Sequence, residues 1–288
     1  MFGMSSPRAF VRAIRLAIDL AIERTLGWLR RTVAGSYVQA FMVDCDQGRF
    51  LVHPEDASVG ATLARRDCYA TDEIARLRQI AGPDSRVLIV GSHVGAIVVP
   101  LSRHVAHVTA VEANPETFEL LRLNIQLNGC SNVELLQMAA GEREGTIEFV
   151  QNRSNSGGSK RMPQARRRMY FHDRPLVTRV RCARLDDVLA DPYDVIMMDI
   201  EGSEYFALLG MPRLLSQARH LVSEFLPRHF RDVANVTANE FVELVAPHFD
   251  RLFVPHRNET VERAQFLALL GAMFDADQSD DGVVFSKT

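Results

Sequence analysis

The chain has 288 residues, with 33 Lys plus Arg against 36 Asp plus Glu and a formal charge of −3, so it carries no global nucleic-acid footprint. Its apolar fraction of 47% and charged fraction of 24% exclude a disordered or collagen-like chain. Four scattered cysteines (Cys45, Cys68, Cys130 and Cys182), with no Cys-x-x-Cys pair, exclude a disulfide framework or a zinc finger and fit reduced thiols in the cytoplasm.

No apolar run reaches the ~18 residues of a membrane span. Arg15, Asp19 and Glu23 also interrupt any signal-peptide core. From Pro7 to Arg31 the polar residues Arg8, Arg12, Arg15, Asp19, Glu23 and Arg30 recur at helical steps. Phe10, Ile14, Ala17, Ile18, Ala21, Ile22, Leu26 and Leu29 fill the other face. The apolar face of this amphipathic helix is expected to pack on the main domain or on a second copy in a homodimer. The other reading is peripheral: its arginines and Trp28 settle on an anionic inner membrane face. Residues 36–52 read as a β-hairpin turned at Asp46-Gln47-Gly48, and His53–Gly60 as a loop. A helix is predicted over 71–81, capped by Thr71 with Asp72 and Glu73 in its first turn.

After Gly82-Pro83 strands alternate with helices. The runs at 86–91, 107–113, 133–139, 193–200 and 220–226 have the continuous apolar character of buried parallel strands. Runs near residues 251 and 282 close the sheet with an antiparallel pair. The predicted fold is therefore α/β: a Rossmann-like, doubly wound, mostly parallel seven-stranded sheet. The expected division is a helix over 1–35, a hairpin and helix over 36–82, and the main domain over 83–288.

The first of these strands runs into Gly91-Ser92-His93-Val94-Gly95, a turn whose glycines let backbone approach a ligand. Glu112 ends the second strand 21 positions after Gly91, where a carboxylate accepts hydrogen bonds from ribose hydroxyls. The alternative role for Glu112 is in capping the helix that Asn114 and Pro115 open. A dinucleotide turn needs a second glycine where His93 stands, because a side chain there crowds a diphosphate. A phosphate-free adenosine cofactor fits better than NAD.

Several segments in this order resemble the FkbM methyltransferase family: VLIVGSHVG (87–95), VEANPETFELLRLNIQLNG (111–129), AAGEREGTIEF (139–149), NSGGS (155–159), RLDDVL (184–189), MDIEGSE (198–204) and VSEF (222–225). The resemblance spans roughly residues 51–226. It implies an S-adenosyl-L-methionine-dependent O-methyltransferase acting on a hydroxyl of a sugar, glycan, glycolipid or related natural product. By the same resemblance, Gly91, His93 and Gly95 form the methionine-side turn, Glu112 holds the ribose and Ala139 or Ala140 lies against the adenine. Asp199 and Glu201 line the place where cofactor and acceptor meet. The chain departs from the family at Ile89, usually an acid, and at His93, usually an asparagine. The departure at Ile89 keeps open a second reading, a non-catalytic scaffold protein with a degenerate site.

An alcohol acceptor must lose a proton, so a carboxylate or histidine is needed within reach. Asp199, Glu201 and Glu224 are the catalytic candidates, because they follow the carboxyl ends of adjacent strands. The base stays open among these acids, His229 and His172. Glu204 clusters with Asp199 and Glu201 past the fourth strand, its alternative being a solvent-facing place on the following helix, and Glu224 has the alternative role of a turn cap. No clear further ligand accompanies the acids, so no metal is expected. Asn155–Ser159 reads as a flexible acceptor loop. The basic run from Lys160 to Arg181 reads as solvated surface or as a dock for an anionic acceptor, not for nucleic acid.

Overall fold

The structure, a computed structural model, describes residues 7–66 and 68–288. The hairpin forms as expected, from β1 (Phe41–Cys45) and β2 (Gly48–Val52). A short helix, Val59–Arg66, precedes the helix Thr71–Ile80. Thr71 does not cap that helix. Ala70, in a left-handed conformation with φ 50°, holds the cap position without a side-chain bond. The reason lies in the hairpin turn, where Gln47 grips the backbone N–H and C=O of Tyr69 at 2.7 Å each and fixes how the chain enters.

The central sheet begins with β3 (Arg86–Val90), β4 (His107–Glu112) and β5 (Val133–Gln137). The chain then leaves it for a second sheet made of β6 (Ala139–Ala140), β7 (Gly145–Gln151), β8 (Lys160–Arg161) and β9 (Leu176–Ala183), in the order β6-β9-β7-β8. It returns through β10 (Val195–Met198), β11 (His220–Phe225), β12 (Arg251–Val254), β13 (Glu259–Glu262) and β14 (Asp280–Ser286). The central sheet has eight strands in the order β13-β12-β14-β11-β10-β3-β4-β5. Its five strands from β11 to β5 are parallel. The strand beyond the predicted seven is β13, whose sequence Glu-Thr-Val-Glu alternates polar and apolar at a half-exposed edge and gives no buried-strand signal.

Successive residues of a strand point to opposite faces, and the parallel strands use both. Leu88, Val90, Ile196, Met198 and Leu221 enter one apolar cluster, with Phe225, Phe230, Phe241 and Phe285. Val87, Ile89, Val195, Met197 and Val222 enter the other, together with Phe50, Val52, Leu63 and Leu77 from the segment before the sheet. Asn124, fully buried in the helix Pro115–Leu127, ties β2 down. Its amide takes the Leu51 N–H at 2.6 Å and donates to the carbonyls of Leu51 and Val94.

Candidate active site

The strand order reverses between β3 and β10, so the turns that follow these two strands face each other at the carboxyl edge of the sheet. Such a switch point opens a crevice. Gly91 (φ +90°) ends β3, and a Cβ added there would collide with the carbonyl oxygen of Asp199, which follows β10. At Gly95 (φ +88°) an added Cβ would come within 2.9 Å of Leu121. Between them His93 is itself left-handed at φ 48°. The turn is thus pressed against the neighbouring backbone.

Six of the seven residues expected to touch a cofactor, Gly91, His93, Glu112, Ala139, Ala140 and Asp199, line the cavity beside this turn, while Gly95 packs against Leu121. Glu112 is buried. Its carboxylate accepts the backbone N–H groups of His93 at 2.8 Å and Asn114 at 2.7 Å. Burial pushes its pKa up to about 7 against the pull of those N–H groups. Asn114 does the capping, its side chain accepting the Glu116 N–H at 3.1 Å. Ala139 and Ala140 reach the cavity because the third strand stops at Gln137, two residues short of its expected end, and the chain steps to the second sheet. Ile89, Met138 and Phe149 make the remaining wall apolar. Arg161, a cation on this wall, is tied in a fork to Glu142 at 3.0 and 3.1 Å and is not free for a diphosphate. A carboxylate at a strand tip, a glycine turn with no room for side chains and an apolar wall fit S-adenosylmethionine.

Four carboxylates collect past β10 and β11. Asp199 and Glu224 share a hydrogen bond, and burial together with neighbouring carboxylates raises both well above the usual range. The register of β11 against β14 slips between Ser223 and Phe225, which frees Glu224 to turn toward Asp199. One oxygen of Glu224, Oε2, is buried without a partner. Glu201, left-handed at φ 57°, lies 3.2 Å from Lys160 Nζ and 2.9 Å from His229 Nδ1. Burial would raise its pKa, but the Lys160 charge and His229 outweigh that and hold it at about 2. Glu204 is not in solvent: it is 1% exposed and accepts the Ile200 N–H at 3.0 Å, closing the turn, with its pKa pushed to about 7 by burial.

The expected flexible loop is an ordered 3-10 turn, Ser156–Gly158. Asn155 accepts the Gly158 N–H, and Ser156 lies buried against the cavity. Of the basic run, Lys160 and Arg161 turn inward to Glu201 and Glu142, whereas Arg166, Arg167, Arg168, Arg174, Arg179 and Arg181 are exposed, Arg167 reaching buried Asp232 at 2.7 Å and Arg181 pairing with Glu144 at 3.1 Å on the surface. His172 pairs with Glu23 of the N-terminal helix at 3.0 Å, away from the acid cluster.

That helix, Pro7–Ala34, does not lay its apolar face on the main domain, the first of its expected placements. Glu23, Gly27, Arg30 and Arg31 face the body, with Gly27 seated on Glu55 and Ser154, and Arg30 bonded to the Pro54 carbonyl at 3.2 Å. Ile18, Ile22, Leu29 and Val33 are left 43–87% exposed. Glycine allows the close approach, and ion pairs rather than apolar contacts hold the helix. The side chains of Arg8, Phe10, Arg12 and Ile14 lie outside the described residues.

Sequence reasoning missed four participants: Tyr69, Lys160, Asp56 and Ser156. Tyr69 lines the cavity, and burial followed by the nearby Asp199 charge raises its pKa. Ser156 sat within the motif 155–159, which gave a signal. Asp56 and Tyr69 precede the sheet and reach the site through tertiary folding alone.

The sequence profile of the methyltransferase FkbM domain matches residues 90–263, more than half of the chain. Fold, cradle and match define an S-adenosylmethionine-dependent methyltransferase. The chain belongs to the FkbM methyltransferase family, and S-adenosylmethionine is its cofactor. Among solved structures it is similar to the methyltransferase FkbM from Methylobacillus flagellatus KT, at 17% identity over 71% of this chain and 44% of that one, with TM-score 0.41. It is also similar to M. jannaschii TYW2 in complex with AdoMet, at 13% identity over 88% of this chain and 89% of that one, with TM-score 0.47. A third is the precorrin-6y C5,15-methyltransferase from Geobacter metallireducens GS-15, at 12% identity over 75% and 85%, with TM-score 0.41. At such identities the likeness is one of fold. The chain spans less than half the length of the first of these. No curated protein matches it.

Proposed function

We propose that this chain is an O-methyltransferase that moves the methyl group of S-adenosylmethionine to a hydroxyl of a sugar, glycan or glycolipid. The observation that carries this reading is the Asp199–Glu224 pair beside the cofactor cavity. Burial and the neighbouring carboxylates raise both carboxyls well above their ordinary range, which favours uptake of a proton by the pair. Glu201, held near 2 by Lys160 and His229, is a poor proton acceptor and serves as a fixed anion that orders the turn. Bound S-adenosylmethionine supplies an electrophilic methyl carbon. The protein aligns the acceptor oxygen with it, and alignment is worth several kcal/mol in such displacements. In this reading Glu112 takes the ribose hydroxyls, Ala139 and Ala140 border the base, and the turn from Gly91 through His93 to Gly95 holds the methionine arm.

Placement supports Asp199 or Glu224 over His172 as base, because His172 is committed to Glu23 and the Met169 carbonyl. Among the described residues no helix is long and apolar enough to cross a membrane. The exposed stripe of the N-terminal helix, with Arg15 and Arg24 beside it, supports a cytoplasmic protein in peripheral contact with an anionic membrane face.

The test is calorimetric titration with S-adenosylmethionine, followed by transfer of labelled methyl to a panel of hydroxylated sugars and glycolipids. Glu112→Ala should lose binding. Asp199→Asn should keep binding and lower kcat by about 100-fold or more. A well-folded protein that binds no S-adenosylmethionine would leave the scaffold reading standing instead.

A further inference from the structure

Two buried side chains, Asp56 and Ser156, and the half-buried His93, from distant parts of the chain, form a relay at the cofactor turn. Asp56, fully buried in the segment after β2, accepts the Ser156 hydroxyl at Oδ2 at 2.7 Å and the Ser58 N–H at Oδ1 at 2.8 Å. The Ala57 N–H bonds the Ser154 carbonyl at 2.8 Å, which stitches the two segments together. Ser156 Oγ stands 2.7 Å from His93 Nε2. A hydroxyl has one proton, and that of Ser156 is given to a carboxylate. Its contact with His93 therefore uses an oxygen lone pair and requires the imidazole proton to sit on Nε2. Burial disfavours the imidazolium, against the pull of Asp56. In the neutral ring Nδ1 is then a hydrogen-bond acceptor. It has no protein partner among the described residues and is not enclosed, and His93 lines the cofactor cavity.

Ile89 lines the same cavity and offers no polar atom where the family resemblance places an acid. A methionine arm brings an ammonium group that needs an acceptor. We infer that His93 Nδ1 supplies it, and that Asp56 and Ser156 are positioning residues that fix the tautomer. This rests on the S-adenosylmethionine reading above. Where a carboxylate on β3 would hold the ammonium directly, this chain uses a histidine whose acceptor atom is set by a loop contact.

The experiment has two parts. Imidazole 1H–15N spectra of the cofactor-free wild type should show His93 as the Nε2–H tautomer, and Ser156→Ala should turn it into a mixture. A wild-type Nδ1–H tautomer overturns the inference. Calorimetry then compares S-adenosylhomocysteine with methylthioadenosine, which keeps the adenosine and sulfur but lacks the amino-acid arm. His93→Ala and Ser156→Ala should weaken S-adenosylhomocysteine about ten-fold or more. Both should bind methylthioadenosine as the wild type does, which also reports an intact site. Equal losses for both ligands, or no loss for either, overturn the relay while leaving the cofactor reading intact. A wild type that binds neither ligand removes the cofactor reading and the relay with it.

Discussion

At Gly91 the backbone runs so close to the Asp199 carbonyl that not even a methyl group fits, and φ of +90° disfavours any L side chain. Gly91→Ala should therefore destabilise the protein by about 2 kcal/mol or more, read as a shift in the urea midpoint. An unchanged midpoint would mean the two turns are not in contact. Glu112 makes a prediction about pH. Its folded pKa is raised from 4.5 to about 7, so between those values the folded chain keeps a proton that the unfolded chain has released. The associated stability is complete below pH 4.5 and is lost as pH rises through 7. The loss is on the order of 3 kcal/mol in the cofactor-free protein. Glu112→Gln should flatten that slope in urea titrations across this range; an identical slope would remove Glu112 as its source. Glu201 has the opposite sign. Held near 2, it stabilises above pH 4.5 and loses that contribution as pH falls toward 2. Of these residues, Gly91, Glu112 and Glu201 were legible in the sequence, because a glycine turn and an acid at a strand tip have fixed spacing. Asp56 and Tyr69 were not, since no local pattern marks a residue that reaches the site from another segment.

Among the elements, the helix Pro115–Leu127 does more than cover the sheet. Through buried Asn124 it clamps β2 and the Val94 carbonyl of the cofactor turn at once. Asn124→Ala strands one N–H and two carbonyls in a dry setting. It should cost about 2–4 kcal/mol and speed hydrogen exchange at Leu51 more than at the centre of β3. A loss below about 0.5 kcal/mol would show that water replaces the amide. The five parallel strands were readable because each is apolar on both faces, feeding the two clusters alternately. The second sheet was not. Its strands β6 and β8 are two residues each, and β7 and β9 begin exposed and are buried only toward their ends. The break after Gln137 also follows no turn residue; pairing with β9, not local sequence, sets it.

For the whole molecule, the N-terminal helix shows how tertiary contacts override amphipathicity. Packing of its apolar stripe on the main domain was one expectation, yet Gly27 and the charged residues around it dock on residues 54, 55, 154 and 172, and the stripe faces out. Ile22→Glu should therefore leave the thermal midpoint of the isolated chain unchanged within about 0.5 kcal/mol. It should also abolish retention on anionic vesicles; full retention would remove this face as the membrane contact. The sequence by itself determined the parallel α/β sheet, the glycine turn, Glu112 and the acids after β10 and β11, because these depend on continuous apolar runs and on short spacings along the chain. Only the tertiary structure decided which acid is paired with which base, which way the first helix faces, and that Asp56 and Ser156 set the state of His93. Those outcomes depend on contacts between segments up to 149 residues apart, where burial and charge are defined by neighbours that no local pattern reveals.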